Sequence, residues 1–105
     1  MLILEETIRE GIFKVMVTSA NYIGFNNGSG ALRLGMRTKE WIGGSFLIFT
    51  NNNYLINKLL NCVYEGVVPK QEEIDIQYFV SSMLIITTKE NKGFLNIIDI
   101  NPFEY

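Results

Sequence analysis

The order of strand-like and helix-like stretches constrains this chain more than any single residue does. Three segments with strand character (residues 12–22, 31–39 and 45–50) precede one helical segment (54–64), and two further strands (82–88 and 94–100) follow it. The strand assignments rest on period-two alternation, because successive side chains of a strand point to opposite faces. In the first, Phe13, Val15 and Val17 share one face, with Lys14, Met16 and Thr18 on the other. The second alternates most clearly: Leu32, Leu34 and Met36 against Arg33, Gly35, Arg37 and Lys39. Burying the aliphatic set turns three cations outward, about 6–7 Å apart where they are two residues apart. The third is apolar on both faces, Phe46 and Ile48 on one and Leu47 and Phe49 on the other. That pattern fits a central strand covered on both sides, or one whose outer face meets a ligand or partner.

Turn chemistry separates these segments. Residues 24–30 (Gly-Phe-Asn-Asn-Gly-Ser-Gly) favour a loop, since Gly and Asn reach positive φ at low cost. Trp41 follows the second strand, and Gly43-Gly44 reads as the hairpin turn into the third. Asn51, Asn52 and Asn53 are candidate N-caps for the helix, whose Ile56, Leu59, Leu60 and Val63 form one apolar stripe. Gly66 is a stop signal with Pro69 just beyond it. Residues 67–75 form an acidic, polar connection, and residues 76–79 fit a short helical turn. Lys89 to Gly93 reads as a hairpin loop, and Pro102 ends the last strand. Near the start, Leu2, Leu4 and Ile8 suit an edge strand or a short helix equally, until Gly11 breaks the pattern.

At 105 residues the chain is expected to form one domain (1–105) with a single modest core. The longest apolar run, Met83 to Ile86, is far short of a membrane span, and the acidic residues after Leu4 do not suit a signal peptide. The expectation is therefore a cytoplasmic protein without membrane contact. Cys62 is the single cysteine and histidine is absent, which removes a disulfide framework, nearly all zinc sites and every Ser-His or Cys-His catalytic pair. Cys62 falls on the apolar side of the helix and reads as a packed thiol. Glu72, Glu73 and Asp75 cluster in the polar connection, where a solvated charge run is the usual meaning, and the 24–30 loop lacks the Lys-Ser/Thr of a P-loop. No catalytic residue, metal or cofactor is implied, and the chain is not expected to be an enzyme.

The β-β-β-α-β-β order resembles the OB-fold, a five-stranded Greek-key barrel with its helix between strands 3 and 4. The implied class is all-β with one helix. Within that frame, Gly11 opening the first strand, the Asn27-Gly28 loop, the helix at 54–64 and Gly93-Phe94-Leu95-Asn96-Ile97 carry a second resemblance. Together they resemble small phage-encoded single-stranded DNA-binding and recombination-associated proteins with an OB-fold. The resemblance runs over nearly the whole chain from residue 11. It implies binding of single-stranded DNA without chemistry, in phage replication or recombination and hence in the host cytoplasm, with replication or recombination proteins as further partners. Two departures stand out. Asp99 to Tyr105 reads as a strand running into a proline stop, where cellular single-strand-binding proteins carry a long acidic recruitment tail. The formal net charge is −2, whereas nucleic-acid-binding domains are commonly basic.

Single-strand binding needs cations along the phosphate path and aromatic planes for the bases. Arg33, Arg37 and Lys39 supply the first, with Lys14 adjacent on strand one. Trp41, Tyr22 and Phe25 are the aromatic candidates, because they lie at strand ends or in loops, and Lys89, Lys92 and Phe94 form a possible far wall. Phe13, Phe46 and Phe79 are assigned to the core. The same cation row is also how any half-buried strand presents its wet face, and Trp41 would equally cap an open barrel end. The rival reading is a small β-barrel adaptor or assembly subunit without nucleic-acid binding, which the acidic balance and the outward aromatics also suit. Self-association to a homo-oligomer is compatible with either, given a third strand apolar on both faces.

Overall fold

The computed structural model describes residues 7–103, the side chain of Glu72 excepted. The strands are β1 (Gly11–Gly24), β2 (Gly30–Arg37), β3 (Gly43–Phe49), β4 (Met83–Asn91) and β5 (Phe94–Pro102). One α-helix, α1 (Asn53–Val63), lies between β3 and β4, followed by 3-10 turns at Gln71–Glu73 and Ile76–Phe79. Every ladder is antiparallel and the strand order is β3-β2-β1-β4-β5. This is the mostly-β, OB-like arrangement that the element order predicts. The sheet stays open: β3 and β5 approach each other without a ladder among the described residues.

β1 holds the sheet together because it serves two partners in succession. Gly11 to Met16 pairs with β4, and Met16 to Gly24 pairs with β2. Just past the handover, at Thr18, the register shifts: Val17 pairs with Met36 but Ser19 with Gly35. A bulge of this kind bends a strand and inverts its alternation. Val15 and Val17 therefore face the core before it, and Ala20 faces it afterwards. Two backbone bonds fasten the bend: Val17 N–H donates to the Ser82 carbonyl at 2.9 Å, and Ser81 N–H to the Val17 carbonyl at 2.7 Å. Gly35 lies opposite, where a Cβ would make the Ser19 hydroxyl swing aside.

The core fills the inner side of the curved sheet with Leu34, Met36, Ile48, Leu84, Ile86 and Ile100, and Phe79 is buried against it. α1 covers this core with Leu55, Leu59 and Val63, while Ile56 and Leu60 of the expected stripe are half-buried. Asn52 is the N-cap, its side-chain oxygen accepting from Leu55 N–H at 3.2 Å. The helix is released at Gly66, whose φ of +86° suits glycine and whose N–H reaches the Asn61 carbonyl at 2.9 Å. Cys62 is half-buried beside the core, and burial pushes its thiol above the usual range.

Four local assignments change. Gly43 and Gly44 are the first residues of β3, paired with Arg37 and Met36, and the β2–β3 turn is formed by residues 38–42. β2 ends at Arg37, so Lys39 belongs to that turn. β3 is an edge strand with an exposed outer face, not a central one. Asn91 pairs with Phe94, so the β4–β5 loop shrinks to Lys92-Gly93, both at positive φ as a type I′ hairpin requires. Near the start, Ile8 is buried and its N–H donates to the Gly43 carbonyl at 3.0 Å; Leu2 and Leu4 lie outside the described residues.

A polar clasp ties α1 to β5. The Tyr54 hydroxyl donates to Asp99 Oδ1 at 2.9 Å, and Lys58 Nζ donates to Asn101 Oδ1 at 2.7 Å while lying 3.7 Å from Asp99. The Tyr54 hydrogen bond above all, with donors from Asn101 and Ile100 N–H and the Lys58 charge, holds the Asp99 carboxyl below the usual carboxylate range. A carboxyl that titrates lower in the folded state stabilises the fold above its unfolded value, about pH 4, and loses that contribution as pH falls through the folded value. Asp99→Asn keeps the shape but cannot ionise. Its urea midpoint is expected to fall less steeply than the wild type's on acidification below about pH 4. Superimposable acid limbs would show that the clasp carries no pH-dependent stability.

Candidate functional site

The register of β1, β2 and β3 sets an outer face in cross-strand rows. Arg33 of β2 lies between Asn21 and Leu47, Gly35 between Ser19 and Ser45, and Arg37 between Met16 and Gly43. Arg33 is exposed, and its Nε donates across the strand pair to Ser45 Oγ at 3.2 Å. Arg37 is half-buried and lays its guanidinium over the Trp41 ring, 4.2 Å from the centroid. Small neighbours (Gly35, Ser45 and Gly43) leave the backbone open between the two arginines.

Trp41 is 73% exposed and adopts φ +66°, the left-handed region that costs a bulky side chain about 1–2 kcal/mol. The β2–β3 turn imposes this conformation. Thr38 N–H donates to the Ile42 carbonyl at 2.8 Å, Trp41 N–H to the Thr38 carbonyl at 3.1 Å, and Ile42 N–H to Thr38 Oγ1 at 3.2 Å. Thr38 is itself buried. The turn thus fixes the backbone at Trp41, and the exposed ring stands out from it with the Arg37 guanidinium alongside.

Around the corner, Lys14, Arg37 and Lys39 line one groove of 670 Å³, with Ile12, Met16, Met83 and Phe103 as its apolar walls. Lys14 Nζ sits 5.3 Å from the Phe103 ring centroid. Met16 explains the convergence: it pairs with Arg37 on one side and Met83 on the other, so the end of β2 and the start of β4 meet at one residue. Among the described residues the one ion pair is Lys58–Asp99. Lys14, Arg33, Arg37 and Lys39 therefore have no described carboxylate in ion-pair contact, although Glu40 borders the groove.

The remaining candidates lie elsewhere. Tyr22 pairs with Leu32, a core residue, and so belongs to the opposite side of the sheet from Arg33, its ring folded over Gly30 where a Cβ would collide with it. Phe25, in the β1–β2 loop, meets Phe49 of β3 with ring centroids 6.2 Å apart, a tilted pair that extends the outer face beyond Leu47. Lys89, Lys92 and Phe94 sit at the β4–β5 hairpin, beyond the Gly11 end of β1. Gly11 is five strand residues, about 16 Å, from the row of Met16 and Arg37. Of the acidic cluster, Asp75 accepts from Gln77 N–H at 3.0 Å as a cap, and Glu73 is exposed.

Ser45, Phe49, Met83 and Phe103 join the site without having been singled out for it. The two apolar faces of β3 signalled Leu47 and Phe49. Nothing in the sequence signalled Met83 and Phe103, which the topology alone brings beside Lys14. Among the described residues, no helix is long and apolar enough to cross a membrane. No protein-family model matches the sequence, and no curated protein matches it. The site is accordingly read from its own geometry.

If the turn imposes left-handed geometry at residue 41, glycine is the better residue there once the ring is gone. Trp41→Gly is expected to exceed Trp41→Ala in unfolding free energy by about 1 kcal/mol, the reverse of the usual surface order. Urea denaturation of the two variants measures this directly. Equal stabilities would mean that the turn relaxes and exerts no such constraint.

Proposed function

We propose that this protein binds single-stranded DNA, without catalysing a reaction, on the outer face of β1, β2 and β3. The observation that carries the reading is Arg33 and Arg37 on the outer face, with Lys39 of the turn and Lys14 of β1 beside them, none in ion-pair contact with a described carboxylate, and the exposed Trp41 next to Arg37. Cations track phosphates, and an aromatic plane accepts a base for about 1–3 kcal/mol whatever the base is. Trp41 is the principal stacking platform, and the Phe25–Phe49 pair is a second at the far end of the face. Weak sequence preference follows from this division of labour. The likeness to phage single-strand-binding proteins adds the proposed setting, phage replication or recombination in the host cytoplasm.

Anisotropy of labelled oligothymidine at several salt concentrations tests the reading. Arg37→Ala is expected to weaken binding for every sequence and to lower the slope of log K against log salt by about 0.7, one phosphate contact on a single strand. An unchanged affinity and slope would remove this face from consideration.

A second reading, self-association or protein capture, is favoured by the edge of β3. Thr50 N–H donates to the Gly30 carbonyl of β2 at 2.9 Å, and Gly43 offers its carbonyl outward to Ile8. By alternation, the amides and carbonyls of Ser45 and Leu47 point to the open edge. From Gly43 to Thr50 there is no charge and no proline, the usual guards of a free edge. An antiparallel second copy pairing Ser45 with Leu47 would satisfy all of these groups. Light scattering is then expected to give a dimer for the wild type and a monomer for Leu47→Lys; a wild-type monomer at high concentration would leave the edge without this role.

A further inference from the structure

We infer that the groove between the β2–β3 turn and the β1–β4 pair is a nucleotide subsite that receives one unstacked base of a strand lying on the outer face. The inference rests on the single-strand reading and extends the site around the corner from Trp41. Among the described residues its lining sets three cations, Lys14, Arg37 and Lys39, against one carboxylate, Glu40, a balance that favours an anion. The walls are of a different kind. Ile12 is 72% exposed, and Met83 (38% exposed) and Met16 bring polarisable thioethers to the same cleft. Ordinary solvated cations do not require a methionine-lined cleft between them. A ligand that satisfies both halves carries negative charge next to a flat, weakly polar body, which is the composition of a nucleotide unit.

The volume agrees. At 670 Å³ the groove falls within the roughly 300–1,000 Å³ usual for small-ligand sites. Its geometry also selects against a duplex, because a base must leave its stack to enter a side cleft. Arg37 connects the two halves of the path: its guanidinium covers one side of the Trp41 ring and it also lines the groove. A strand passing Trp41 would place its next phosphate beside Arg37 and Lys39, and the base that follows over Met16 and Met83.

The test is affinity as a function of oligothymidine length, measured for the wild type and for Met83→Ser, with Ile12→Ser as a second variant should the first fail to fold; both changes are neutral and leave the charge beside Lys14, Arg37 and Lys39 unaltered. Both positions are exposed, and neither contributes to the outer face around Arg33. Short oligomers that occupy only that face should bind wild type and variant alike. Longer ones should gain about tenfold on the wild type, the weight of one stacked base, and lose that gain on the variant. Identical length dependence in wild type and variant would overturn the subsite while leaving the outer face intact. No wild-type binding at any length would overturn both readings. Thymidine monophosphate supplies the remaining arm. If it saturates the wild type but not Met83→Ser, and length dependence is unaffected by the substitution, the groove serves a free nucleotide and the continuous path is wrong.

Discussion

The candidate site depends throughout on β1 being shared between β4 and β2. A single strand of 14 residues pairs first with β4 and then with β2, and it manages this by taking up one extra residue at Thr18. The bulge inverts the alternation, so that Val15 and Val17 point inward before it and Ala20 after it. It turns Ser19 outward against Gly35, which keeps that part of the face low and open. The handover just before it makes Met16 the common neighbour of Arg37 and Met83, and the groove exists because these two strand ends meet there. Without the shift in register, the core pattern of the first half of β1 would carry the second half out of the core.

The architecture was legible where local chemistry and tertiary placement agree. The Leu32, Leu34, Met36 alternation is the buried face of β2, and the Asn-capped helix at 54–64 falls within a residue of α1 at either end. The site was less legible, for physical reasons. Gly43-Gly44 looks like a turn because glycine is cheap in turns, yet the chain turns through Trp41, where no propensity scale would place it. Lys39 appeared to continue the row of Arg33 and Arg37 because alternation does not say where a strand stops. The two apolar faces of β3 were plain, but whether such a strand is central or at an edge depends on neighbours that the local pattern cannot name. Tyr22 looked available because it lies near a loop; the bulge, which no residue type announced, assigns it to the other side of the sheet. Met83 reaches Lys14 only through the pairing of β1 with β4, and Phe103 only through the further pairing of β4 with β5.

A net charge of −2 sits uneasily with an anionic ligand only if charge is treated as a single sum. Interaction with a phosphate decays over about 8–10 Å at physiological salt, so the charges within that distance decide contact. Arg33, Arg37, Lys39 and Lys14 lie on or beside one face with Glu40 as their acidic neighbour. Glu65, Glu73 and Asp75 belong to the segment between the helix and β4, and Asp99 is engaged by Tyr54 and Lys58. The acidic remainder weakens long-range attraction and therefore the rate of encounter. In the proposed complex, short-range affinity would rest with stacking and with the few cations in contact.

Trp41 shows which of these features the fold itself does not require. Its left-handed backbone costs about 1–2 kcal/mol, and a solvent-exposed cation–π contact such as the one with Arg37 returns about 0.5–1 kcal/mol. The ring is 73% exposed, so burial adds little to that return. Glycine or asparagine would suit this backbone at lower cost, as glycine does at Gly28 and Gly93, although Glu65, Ser81 and Lys92 also adopt positive φ. The tryptophan instead projects from a turn whose backbone is anchored on the buried Thr38, with a guanidinium against the ring. A platform ordered in advance of its ligand loses little rotamer freedom on binding, which raises affinity without adding contacts.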